Sequence, residues 1–138
     1  MAHMKHLNIA KLRNTPRQDD PYQHVIVPNF INSQSIKLIN QTFPDIQGGG
    51  SYPVDNLDRG SALRELIDEL DSKDFEDAIS EKFKIQLSSR PKMYSLRGHT
   101  RHKDGVIHTD SKDKIITVLV YLNEVWNDKG GRLRVLRN

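Results

Sequence analysis

Cysteine is absent from this 138-residue chain. That excludes disulfide staples and thiolate metal sites, and leaves histidine, aspartate and glutamate as the side chains able to hold a metal. No apolar run approaches the roughly 20 residues that cross a bilayer, and the start lacks the apolar core of a secretory signal. The expectation is a cytoplasmic protein with no membrane partner. Charge of one sign is also scarce: the net charge is +3, mild for a nucleic-acid binder, and no nucleic-acid motif accompanies it. Nucleic acid is therefore not an expected partner.

What is there suits one domain with a modest core, since 36% of residues are hydrophobic and 28% charged. Residues 1–4, Met1-Ala2-His3-Met4, read as an expression leader, so His3 is set aside as a ligand and residues 5–138 are taken as the domain. The stretch to Asp20 is polar, contains Pro16, and reads as a loose arm. His24 to Val27 reads as a short strand, with Pro28 at its end.

Helical spacing follows. Asn32 or Ser33 can cap a helix carrying Ile36, Ile39 and Phe43, stopped by Pro44. Ser61 can cap a second, with Leu63, Leu66, Ile67 and Leu70 in one stripe, and Ser72 a third, with Phe75, Ala78, Ile79 and Phe83 inward. Between the first two, Gln47 to Asn56 holds three consecutive glycines and suits either a linker or a lid. After Arg90-Pro91 the period becomes extended, over Lys92 to Leu96, Gly105 to Asp110, Lys114 to Leu122 and Arg132 to Leu136. Helices first and strands second predict an α+β protein whose antiparallel sheet packs on helices.

The chemistry concentrates in the second half. His108-Thr109-Asp110 places an imidazole and a carboxylate two residues apart, hence on one face of a strand, where both can reach one metal. Ile115 to Leu122 is apolar and rich in β-branched residues, the mark of a central strand covered on both faces. Thr117, Leu119 and Tyr121 share one face and Ile116, Val118, Val120 and Leu122 the other. Basic residues cluster at Arg90, Lys92, Arg97, Arg101 and Lys103 and again at Arg132, Arg134 and Arg137. They suit either solvated faces or a positive field around an anionic cosubstrate.

Taken together, His108-Thr109-Asp110, Thr117, Tyr121-Leu122-Asn123, Trp126, Gly130-Gly131 and Leu133 resemble, in order and spacing, the core of the iron(II)- and 2-oxoglutarate-dependent oxygenases, prolyl-hydroxylase type. The resemblance covers roughly Lys92 to Leu136. It implies N-terminal helices packed on a double-stranded β-helix, or jelly roll. It implies His108 and Asp110 as iron ligands, Tyr121 and Leu133 against 2-oxoglutarate, and Tyr94 as a further cosubstrate-contacting tyrosine. The implied activity is hydroxylation of a protein side chain or a small metabolite, with Fe(II) and 2-oxoglutarate as cofactor and cosubstrate.

The family pattern also has a second histidine and then a basic residue on later strands. No histidine follows His108. The expectation is therefore an incomplete jelly roll, truncated at its C-terminus and inactive alone, with self-association through open sheet edges. A non-catalytic jelly-roll binding module is the alternative.

Overall fold

The computed structural model describes residues 4–43, 51–53, 61–97 and 115–122. In chain order the elements are α1 (Ile9–Asn14), α2 (Ser33–Thr42), β1 (Ser51–Pro53), α3 (Ala62–Leu70), α4 (Lys73–Phe83) and β2 (Ser95–Arg97). Three helices begin where the caps place them. The Asn32 side chain accepts from the Ser35 amide, Ser61 from Arg64 and Ser72 from Phe75, each satisfying an amide that the first helical turn leaves unpaired, worth about 1 kcal/mol apiece.

The apolar stripes converge on one core. Ile39 of α2, Leu63, Leu66 and Ile67 of α3, and Phe75, Ala78 and Ile79 of α4 are all buried in a single cluster. Ile36, Phe43, Leu70 and Phe83 pack partly buried around it. Helix α4 ends with Lys84 in the left-handed region at φ 55°, a position where glycine is usual because a Cβ crowds the following carbonyl.

Four expectations need correction. First, the polar N-terminal stretch is not a loose arm. Leu7 and Leu12 are core residues, Leu7 bridges Ile31 in antiparallel fashion, and Asn8 caps the short helix α1. Lys82 of α4 donates to the carbonyls of Arg13 and Thr15, 3.0 Å from the former, and Arg13 pairs with Glu81. Polar composition hid this because two leucines and a few backbone bonds suffice to dock a segment. Second, His24 to Val27 forms no strand; only a single Gln18–His24 bridge closes a turn there. Third, part of the glycine-rich loop is a strand: β1 pairs antiparallel with β2, Tyr52 opposite Leu96.

The fourth correction concerns the fold class. The described residues form a helical core with a two-stranded ribbon, β1–β2, and no jelly roll is seen among them. The apolar run that was to be its central strand is assigned no strand and enters no ladder among the described residues. Its burial is partial. Ile116, Val120 and Leu122 rest on the helical core, whereas Ile115, Val118, Leu119 and Tyr121 are exposed. Asn40 of α2 donates to the Leu122 carbonyl at 2.8 Å and ties the end of the run to the helices. The helices, not a second sheet, supply the apolar contact that the β-branched composition anticipated. The segments 105–110 and 132–136 lie outside the described residues.

Candidate functional site

Of the residues singled out by sequence, His108, Asp110 and Leu133 lie outside the described residues, as do Asn123, Trp126 and Gly130-Gly131. Tyr94 and Tyr121 are described. Tyr121 lies near the end of the apolar run, about half exposed. Its neighbours Val120 and Leu122 pack partly buried against the core, with the exposed Tyr121 between them.

Tyr94 is placed differently. It follows α4 and packs partly buried against the core, and its hydroxyl donates to Asp71 Oδ1 at 2.9 Å, at the C-terminal end of α3. Lys92 stands beside the same carboxylate at 3.5 Å and reaches Glu76 of α4 at 3.3 Å. Burial, then the hydrogen bond and negative charge of Asp71, then the charge of Glu76, push the Tyr94 hydroxyl well above the ordinary tyrosine range. A tyrosine held protonated in the fold binds its proton more tightly than the unfolded chain does. Its stabilisation is therefore complete below the ordinary value of about 10 and is lost as pH rises through the folded value. In an alkaline titration followed by tyrosinate absorbance, Tyr94 should ionise late, and Asp71→Asn should bring it down. A titration unchanged by that substitution would remove Asp71 as the cause.

A second polar cluster escaped the sequence reading. His6 is buried, 4% exposed, with Nδ1 2.6 Å from Ser35 Oγ of α2 and Nε2 3.5 Å from Glu65 and 4.0 Å from Glu69 of α3. Glu69 accepts the backbone amides of Lys5 at 3.2 Å, His6 at 3.1 Å and Leu7 at 3.0 Å. Lys5 Nζ lies 3.1 Å from Glu65, and this hydrogen bond, with smaller help from the Lys5 charge and from His6, holds the Glu65 carboxyl below its usual range. One signal was available in the sequence. Two glutamates at i and i+4 repel on a helix unless donors or cations meet them, and here the N-terminal segment supplies both.

Among the described residues no group of three histidine, aspartate or glutamate side chains is arranged to hold a metal ion. No helix of the described structure is long and apolar enough to cross a membrane. No family model matches the chain, and neither a curated protein nor a solved structure matches it.

Proposed function

We propose that the chain serves an iron(II)- and 2-oxoglutarate-dependent hydroxylation, acting on a protein side chain or a small metabolite in the cytoplasm. The observation that carries this reading is the spacing of His108-Thr109-Asp110 ahead of Tyr121-Leu122-Asn123, Trp126 and Gly130-Gly131-Arg132-Leu133. The absence of cysteine is in keeping with the compartment. His108 and Asp110 would provide two ligands of a facial set of two histidines and one carboxylate, which leaves three iron positions for a bidentate 2-oxo acid and dioxygen. The iron supplies the oxidative chemistry; the protein's part is to hold and orient the cosubstrate and to keep water out.

The two described candidates fit this role unequally. Tyr121 is half exposed, and a phenol O–H is a chemically suitable donor to a carboxylate. Tyr94 has a single hydroxyl proton, already given to Asp71, so contact with 2-oxoglutarate would require that bond to break. No catalytic step is assigned to either.

Two ligands hold a metal more weakly than three, and losses even outside the ligand set typically cost about 10- to 100-fold in affinity. Calorimetric titration of the 138-residue chain with Mn(II) should therefore show weak binding that His108→Ala abolishes. Tight binding that survives His108→Ala would remove the dyad from the reading.

A second reading, a non-catalytic module acting through protein contacts, draws support from the exposed apolar side of the 115–122 run. The same surface favours self-association of the chain. Light scattering at rising concentration should show a growing mass, and Leu119→Lys should reduce it; a monomer at high concentration would count against this part of the reading.

A further inference from the structure

Three consecutive main-chain amides converge on one side chain near the start of the chain. In a regular strand successive amides point to opposite sides. Here the chain bends at Lys5 and His6, and the amides of Lys5, His6 and Leu7 all donate to the Glu69 carboxylate of α3. Oε1 accepts from Leu7 at 3.0 Å and from His6 at 3.1 Å, and Oε2 accepts from Lys5 at 3.2 Å, with the His6 amide shared onto it at 3.3 Å. Amides turned to one point form a concave, partially positive surface of the kind that holds anions.

The neighbouring backbone groups have other partners. Asn8 donates to the Phe30 carbonyl at 2.9 Å, and the His6 carbonyl accepts from Asn32 at 3.3 Å, which pairs the segment with residues 30–32. Neither bond uses the three amides, which are left to Glu69.

Recognition of the carboxylate is made by the backbone. The Lys5 ammonium is engaged with Glu65 Oε2 at 3.1 Å, and His6 Nε2 stands 4.0 Å from Glu69 Oε2, beyond hydrogen-bond distance. Glu69 is nearly enclosed, with its side chain 14% exposed. Glu65, one turn earlier on α3, is more open and is met by the Lys5 side chain instead.

We infer that residues 5–7 form a carboxylate-binding site for which Glu69 is a tethered ligand: the cradle accepts a small planar carboxylate, and its occupation decides whether the N-terminal segment stays docked. With the ligand attached to α3, the site is filled at high effective concentration. A free carboxylate enters only when Glu69 is shortened. The segment so held carries Leu7 and Leu12 into the core, so occupancy of the cradle and docking of α1 are linked by mass action.

Formate tests this in the full 138-residue chain. Glu69→Ala removes Cγ and the carboxyl group and leaves space for formate, a carboxylate with no further heavy atom. In sodium chloride the variant should melt below the wild type, with fast amide exchange over residues 5–8 and α1. Replacing chloride by formate at equal ionic strength should raise its melting temperature by several degrees and slow exchange at those residues. Wild type and Glu65→Ala should respond little to the same replacement. Should Glu69→Ala be unfolded in chloride, formate should restore its helical signal. A Glu69→Ala chain that behaves identically in formate and chloride, folded or unfolded, would overturn the proposal, as would a formate response of the same size in wild type or Glu65→Ala.

Discussion

Leu63→Ala is expected to lower the stability of the protein by about 3 kcal/mol, within the roughly 2–5 kcal/mol span for deleting most of a buried leucine. Leu63 is 1% exposed and sits where α3 joins the cluster shared with α2, α4 and the N-terminal segment. Truncation leaves a void inside that cluster, and packed helices close on such a void only in part. For a protein with a total stability of roughly 5–15 kcal/mol this is a large fraction, so the thermal midpoint should drop by about 10 °C or more. Leu38→Ala is the internal control. Leu38 lies on the same helical pair but is 51% exposed, so its truncation should cost a small fraction of that. Equal losses at the two positions would mean that the helical core is not packed as described.

Glu69→Ala should have the second largest effect, about 2–3 kcal/mol, since hydrogen bonds to a charged group contribute about 1.5–3 kcal/mol each and some of the released amides regain water. This single carboxylate accepts the amides of Lys5, His6 and Leu7 and stands 4.0 Å from the buried His6 ring. Its removal takes the acceptor from three consecutive donors, two of them on buried residues. The loss should be local first. Amide exchange should accelerate across α1 and residues 5–8 while α3 and α4 keep their protection. Glu65→Gln, at a more exposed carboxylate, should leave most of that protection in place near neutral pH. Uniform acceleration over all helices in Glu69→Ala would show that the N-terminal segment is not a separable docking unit.

These two substitutions mark what could and could not be seen in the sequence. Helices α2, α3 and α4 were legible because a capping residue and a 3.6-residue apolar stripe agreed in each, with Pro44 as a stop after α2. Leu63, Leu66 and Ile67 declared themselves by spacing alone. The N-terminal segment was not legible because its fold comes from distance in sequence: Leu7 meets Ile31, Lys5 meets Glu65, and Lys82 caps α1. No local pattern encodes such contacts. His6 looked like any lone histidine in a polar stretch.

The run Ile115 to Leu122 was misjudged for a different reason. Its β-branched composition favours a strand, and the run is assigned none. Composition does not say what covers the faces, and one face meets helices while Ile115, Leu119 and Tyr121 meet solvent. The alternation itself survived, with Ile116, Val120 and Leu122 inward; Val118 alone departs from it. Of the candidate site, Tyr121 and Tyr94 can be placed, while His108, Asp110 and Leu133 fall outside the described residues. A two-residue motif such as His-x-Asp reports ligand types and their shared face, and carries no information on the distant strand that must complete the set.

The proposed function turns on whether one metal joins His108 and Asp110. Mn(II) is a paramagnetic stand-in for iron(II) that broadens NMR signals close to it. Titrated into the isotope-labelled 138-residue chain, it should broaden the resonances of residues around 108–110 first. That broadening should disappear in both His108→Ala and Asp110→Ala, with the helical core signals of Leu63 and Ile39 untouched. Broadening centred on another group of residues, or persisting unchanged in the two variants, would contradict the iron-dependent reading.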